Sequence, residues 1–515
     1  PFLNSVSGPR GMVGAKHVEQ ALPLKNPEAP LVMTAIPGGK NMTFEDLVGA
    51  EASTRSKVQG QVTRVTPDAI FVKGSKGEER HGIFDNFPLN EKTYLHSRPL
   101  VKPGDRVSPG QVLADSTYTS KGTLALGKNA RVAYIPWKGG QSFEDGIVAS
   151  ESAAKRFTSV HMYRIPIQGG DHVVIDKRRF IALYPATFTP AQLAKLADNG
   201  VVAKGQFLQR SDPVGLRLVK EDLGAEDKVL ARLRRGFTQP DKNRSVLWEE
   251  DFDGEVVDVV SSGPDYTVAL KTEEPLRVGD KLSLRAGAKG ILTKVLPDSD
   301  MPHTREGKPV EVILNPHGVL ARINVAQNLE NLAAKVADKV GTPIHVNNFS
   351  TGDSVRRVLD LAKKHGVVDK EDLIDPETGR VIPNVATGLN YIYKLNHPVR
   401  SKFSARDLGP YHDDMTPTKG DASGGQSIDM LTAYSLLSHG SKSVLKESAL
   451  KGQANPEWWR AYRRGQTLPL PRQTETWSRF TELLKGAGIN TERRGAEMLL
   501  MPFLDRDVAK FSQGE

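Results

Sequence analysis

One phrase recurs in this chain and limits what it can fold into: a turn ending in Gly-Asp, followed at once by a short strand-like run. It stands at Val101-Lys-Pro-Gly-Asp105, ahead of Val107–Asp115, and returns at Leu276-Arg-Val-Gly-Asp280. Gly supplies the positive φ of a tight turn, and Asp closes the turn through its side chain. Gln59–Val65 and Ala69–Val72 alternate apolar and polar residues, as half-buried strands do. The chain holds 47 Gly and 33 Pro, and only 6% of its residues are aromatic. That composition excludes a helical bundle and favours short strands and tight connections, as in small closed barrels.

Length and charge narrow the class further. At about 100–200 residues per domain, 515 residues predict three or four domains. Hydrophobic residues at 38% and charged residues at 25% describe a globular chain able to bury a core. The absence of cysteine excludes a disulfide scaffold, a thiolate zinc site and a cysteine nucleophile. No apolar run approaches the length of a membrane span, and the first residues lack the order of a signal peptide. The chain starts at Pro1 rather than Met, which reads as a cut or processed end. Seventy Lys and Arg against 61 Asp and Glu leave +9. This mild excess permits a nucleic-acid partner without requiring one.

Four regions emerge from the pattern: 1–154, 155–253, 254–410 and 411–515. The first is turn-rich with short strands. In the second, Thr189 caps a helix that starts at Pro190, carries Leu193, Leu196 and Ala197, and ends at Gly200. A charged stretch, Lys220–Arg235, marks this region as an insertion. In the third, strands fill the first part. Then Asn324–Val340 forms a helix with Val325, Leu329, Leu332, Val336 and Val340 on one face, stopped by Gly341. Asp353 caps a second helix, with Val355, Val358, Leu359 and Ala362 inside and Gly366 after it. The fourth is helical at 427–450 and at Thr474–Lys485. Trp458–Arg464 is a basic aromatic cluster that can bind nucleic acid or pack on a partner.

Motifs for simple nucleotidases, metalloproteases and esterases (GxxxxGK[ST], HExxH, GxSxG) are missing. Asp251-Phe-Asp-Gly-Glu255 offers alternate carboxylates of the kind magnesium takes, but the strand Val256–Val260 requires a turn there, and the turn is preferred. Glu144 and Asp145 follow the Gly-rich loop Trp137-Lys-Gly-Gly-Gln-Ser-Phe143; paired acids there can bind a cation, but a solvated turn is preferred. Lys281 and Lys289 flank Leu282-Ser-Leu-Arg-Ala-Gly-Ala288, an arrangement that can cradle phosphate or face solvent. Arg10, Lys16 and His17 lie in a polar, Gly-punctuated segment and, taken alone, are surface charges. Arg322 stands at the mouth of the best helix. Lys394–Lys402 ends a strand-like run with three basic groups and His397.

Taken in order, these segments resemble the C-terminal half of the β subunit of multisubunit DNA-directed RNA polymerase. The resemblance is carried by PFLNSVSGPRGMVGAKHVEQALPL, RPLVKPGDRVSPGQVLADS, LALGKNARVAYIPWKGGQSFEDGIVASE, RVGDKLSLRAGAKGIL, GKPVEVILNPHGVLARINVAQNLE and YKLNHPVRSKFSARDLGPY. GGQSIDMLTAYSLLSHG and FTELLKGAGIN are similar to the last helices of that subunit. The match is patchy over 155–250, 452–473 and 493–515.

The resemblance implies a multidomain α+β chain with a double-psi β-barrel core, a flap inserted at 155–253 and C-terminal helices reaching the clamp. It implies a nucleotidyltransferase, active only in complex. Arg10 and Arg322 match arginines that touch the triphosphate of the incoming nucleotide. Lys281 and Lys289 match lysines at the RNA 3′ end. His397 and Lys402 match positions near primer and template, and Glu144 with Asp145 an acidic pair beside a second Mg2+. The main Mg2+ ligands are expected on a β′-like partner. Other implied partners are the N-terminal β portion, α-like or other assembly subunits, an initiation factor at the flap, template DNA, RNA and nucleoside triphosphates. No membrane is implied, and a cytoplasmic location is, in a host cell or virion if the chain is viral. Three departures stand out. The family phrase GRHGNKG is replaced by LRAGAKG, so a His and an Asn between the lysines are missing. The acids before Lys402 are replaced in HPVRSK. The upstream half of the subunit is not in the chain, which resembles the split β subunits of some large phages. A scaffold that kept the fold and lost the chemistry, or a non-catalytic nucleic-acid-binding barrel, is the alternative.

Overall fold

The computed structural model describes residues 1–515 apart from 40, 91, 221–240, 349–352, 403–408, 413–416, 420–423, 426, 449–454, 470–473, 495–496 and 513–515. The charged stretch expected within 220–235 therefore lies almost wholly outside the described residues. The chain divides into two compact units, Pro1–Ser401 and Lys402–Glu515, and both mix helices with strands.

At the centre of the first unit six strands pair in a ring. They are β1 (Lys128–Tyr134), β2 (Gly146–Ser150), β3 (Lys281–Leu284), β4 (Lys289–Leu296), β5 (Val312–Leu314) and β6 (Val381–Lys394). Their order is β1-β5-β2-β4-β3-β6, and β6 pairs back onto β1, with Lys128 opposite Ile392. Closure leaves no free edge within the ring, which removes the hazard of unpaired strand groups. The β1–β5 and β2–β4 pairs are parallel and the others antiparallel. Side chains alternate across each strand. Ala130, Val132, Ile147, Ala149, Leu282, Leu284, Leu292, Val312 and Ile392 fill one continuous core. Lys281 and Ser283, on the other parity of β3, face away from that core's row.

Four helices frame the site and the core beside it: α1 (Gly8–Glu19), α2 (His317–Ala321), α3 (Val325–Val340) and α4 (Ser354–Lys364). α3 ends at Gly341, whose φ of 77° allows the left-handed cap. It buries Leu329, Leu332, Ala333 and Val336 against Val358 and Ala362 of α4, while Val325 and Val340, at its two ends, are exposed. Asp353 caps α4 through Val355 N and Arg356 N. Leu359, expected inside, is 52% exposed, because the buried row of α4 runs through Val358 and Ala362, one turn apart.

Two further expectations are corrected. Val107–Asp115 is not one strand but two pieces, Arg106–Val107 and Val112–Asp115, because Gly110 at φ 81° turns the chain between them. The helix begun by Thr189 runs only over Pro190–Ala194, although its capping box is complete. Leu196 leaves the helix to bridge Val202, and Gly200 serves this later turn.

Residues 159–274 carry their own core, with Phe180, Trp248, Ile167 and Leu270 at its centre. Asp251 sits in the turn before the strand Gly254–Ser262 and is taken by Arg210 at 2.8 Å and Arg277 at 3.5 Å. Arg277 also lies 3.7 Å over the Phe252 ring. These contacts make the DFDGE segment a braced turn.

The second unit holds the helices Met430–Ser438, Lys442–Lys446, Pro456–Arg463 and Glu475–Gly486, and the hairpin Ile489–Arg494 with Glu497–Pro502. Gly440, at φ 71°, breaks the helical pattern expected over 427–450 into two pieces. Among the described residues, no helix is long and apolar enough to cross a membrane.

Candidate functional site

The β3–β4 hairpin is where the candidate residues meet, and glycine is the reason. Gly287 sits at its tip with φ 82°, and a Cβ there would lie 2.3 Å from the Arg10 carbonyl oxygen. From the other side, a Cβ on Gly14 of α1 would lie 2.5 Å from the Arg285 carbonyl oxygen. Helix and hairpin thus touch backbone to backbone, an approach only glycine permits. Gly290 makes a similar approach to the Asp145 carbonyl, 2.2 Å from where its Cβ would be, and Ile291 N donates to that oxygen at 3.0 Å. One short hairpin therefore carries Lys281 and Lys289, seats the helix bearing Arg10, and holds the loop bearing Glu144 and Asp145.

Two groups of side chains result, with Lys289 in both. In the first, Glu144, Asp145, Lys289 and Arg322 line a small cavity of about 40 Å³. Arg322 follows α2 and grips Asp145 with both terminal nitrogens, at 2.5 and 2.7 Å. This forked geometry matches a carboxylate and equally a phosphate. Glu144 is exposed, with φ 49°, an uncommon backbone state for a residue with a side chain.

The second group surrounds His17. This residue is 4% exposed, and its Nδ1 lies 2.5 Å from Ser283 Oγ, between the two lysines of the hairpin. Its pKa is pushed down to about 4, first by burial and then by the positive fields of Lys289, Lys281, His397 and Arg10. His397 is placed by the end of α1: its Nε2 meets Gln20 Oε1 at 3.2 Å, and Asn396 N donates to the Gln20 carbonyl at 2.8 Å. Lys402 belongs to the second unit, where it is exposed.

Gln20 and Ser283 are site residues that the sequence alone does not single out, and His17, read from the sequence as a surface charge, is buried. Arg10–His17 reads as a polar segment because Gly11 and Gly14 interrupt it, and glycine disfavours helix by about 1 kcal/mol per residue. The structure makes it a helix, begun by Pro9 and held by tertiary packing. The seven-residue spacing of Arg10 and His17, two helical turns, is the available signal.

The arrangement suits polyanion binding: two lysines, two arginines and two histidines gathered at one hairpin. As for a divalent cation, among the described residues no group of three or more His, Asp or Glu is built to hold one. Glu144 and Asp145 can contribute carboxylate oxygens to a site completed by other ligands. That suits magnesium, which is commonly held by one or two carboxylates plus phosphate.

Comparison with known proteins gives the same region a family context. The family described as RNA polymerase Rpb2, domain 6, matches residues 56–422. The chain is 30% identical over 474 residues to a DNA-directed RNA polymerase subunit beta of Chloroflexus aggregans, covering 87% of this chain and 38% of that protein. It is 29% identical to the subunit beta of Mycoplasmopsis pulmonis, covering 96% and 42%. To that of Prochlorococcus marinus it is also 29% identical, covering 95% and 48%. The chain thus spans less than half the length of these curated relatives.

Proposed function

From the premise that this chain belongs to the family of DNA-directed RNA polymerase β subunits, we propose that it is the portion that binds the RNA 3′ end and the phosphates of the incoming nucleotide. One observation carries the proposal. Arg10, Asp145, Lys281, Lys289, Arg322 and His397 stand up to 387 positions apart in sequence, yet they group around a single hairpin. A non-catalytic basic barrel has no need of the acidic pair within the same group of cations.

On this reading the six-stranded ring is the double-psi barrel and residues 155–253 are the flap. Lys281 and Lys289 hold phosphate as point charges. Arg10 and Arg322 grip triphosphate oxygens in forked geometry, which lysine cannot copy. A bound triphosphate competes with Asp145 for the Arg322 guanidinium, which frees the carboxylate. Glu144 and Asp145 are the residues that would hold a nucleotide-borne Mg2+. Magnesium, when bound, stabilises the attacking and leaving oxygens of a phosphoryl displacement; this chain's residues position and neutralise. The remaining magnesium ligands come from a β′-like partner, and the N-terminal β portion, assembly subunits, an initiation factor, DNA and RNA complete the complex. Lys402 is assigned to the primer–template side.

Arg322→Ala tests the proposal in a reconstituted enzyme. Loss of a charge-assisted hydrogen bond costs about 1.5–3 kcal/mol, so apparent nucleotide affinity should fall roughly 10–150-fold. Unchanged affinity removes Arg322 from the site. The chain on its own should make no RNA; templated synthesis by the purified chain, free of partners, would refute this division of labour.

A further inference from the structure

We propose that His17 is a phosphate-linked proton acceptor: uncharged in the free chain, it takes up a proton when a polyphosphate or an RNA phosphate enters the cations around it. This rests on the phosphate-binding reading above and adds what that site does with a proton.

The geometry supplies the argument. The Ser283 hydroxyl has one hydrogen and two backbone carbonyls within reach, Ala288 O at 3.0 Å and Leu284 O at 3.2 Å. When that hydrogen goes to either carbonyl, the hydroxyl oxygen accepts from His17 Nδ1–H. The lone pair of the imidazole is then on Nε2, the position open to a proton. The groups that act on the ring come from four segments: Arg10 from α1 itself, Lys281 from β3, Lys289 from β4 and His397 from the chain after β6. Each is cationic or becomes so on protonation. A further positive charge among them is opposed by burial first and by these neighbours second, which is why the imidazole titrates near 4. A phosphate polyanion cancels the second cause and leaves the first. Buffer then supplies a proton, the Nε2 lone pair forms the new N–H bond, and His17 gains one charge.

Linkage sets the size of the effect. Full recovery to the ordinary histidine value of about 6.5 gives uptake of roughly 0.9 proton at about pH 5.5 and under roughly 0.1 at about pH 7.5, with affinity rising up to about tenfold between them. Residual burial makes these ceilings.

The full-length chain should be titrated calorimetrically with inorganic triphosphate, and separately with a short oligoribonucleotide, in buffers of differing ionisation enthalpy at about pH 5.5. The wild type is compared with His17→Gln and with His172→Gln, an exposed histidine outside the hairpin site, because triphosphate exchanges protons of its own and the difference between chains is the readout. The expected result is proton uptake larger by at least about 0.3 in wild type than in His17→Gln, kept in His172→Gln. Equal uptake in wild type and His17→Gln, with binding intact, overturns the His17 proposal and leaves the phosphate site standing. Loss of uptake in His172→Gln alone also overturns it. No binding of either probe overturns the phosphate site and the proposal together. The probe that drives uptake tells whether triphosphate or RNA phosphate is the source. If His17→Gln does not fold, wild type carrying 13C-labelled histidine gives the same answer: one imidazole becoming charged on triphosphate addition supports the proposal, and none becoming charged refutes it.

Discussion

Gly287 holds φ 82° at the tip of a hairpin, with the Arg10 carbonyl oxygen 2.3 Å from where its Cβ would be. Gly287→Ala therefore adds a strained backbone, worth about 1–3 kcal/mol, to a clash that backbone on both sides cannot relieve cheaply. The expected outcome is a lower denaturant midpoint and weaker triphosphate binding, because α1 must lift away with Arg10 and His17. An alanine variant with unchanged midpoint and binding would show that the contact is not needed. At this scale the residue types are legible in the sequence: Arg10, Glu144, Asp145, Lys281, Lys289 and Arg322 all stand out without the fold. Ser283 and Gln20 do not, because a hydroxyl or an amide acquires a role only from the group placed opposite it.

Among the elements, α3 is legible to within a residue, since a strong apolar period and a following glycine leave little choice. Its packing predicts that Leu332→Ala, at a site 6% exposed, lowers stability by about 2–5 kcal/mol, measurable in denaturant unfolding. A loss under about 0.5 kcal/mol would mean that the α3–α4 contact collapses to fill the space. α1 is hidden for the opposite reason. Three glycines erase its intrinsic propensity, and it exists because the β3–β4 hairpin gives it a surface. The segment after Thr189 shows that a complete cap starts a helix but does not sustain one.

For the whole molecule, pH and salt are the informative variables. His17 and His161 both titrate near 4 in the folded chain, His161 because burial outweighs the opposing field of Glu274. The unfolded chain protonates them near 6.5. Their folded pKa values are depressed, so the stability they contribute is complete above about pH 6.5 and is lost as pH falls toward about 4. Melting temperature measured between these limits should decline on acidification, and substituting both histidines with Gln should flatten that decline. Nucleic-acid binding should weaken steeply with salt, as counterion release requires; a flat response in a filter-binding series would argue against a cation-lined path. By itself the sequence determined the strand-and-turn character, the strongest helix, the family and the identity of most charged candidates, because these are written in local pattern and residue type. Only the tertiary structure decided that six strands close into a ring, that glycine contacts bring Arg10, Asp145 and two lysines to one hairpin, and that His17 is buried among cations. Those outcomes depend on which distant backbones can approach within contact, and no local pattern encodes that distance.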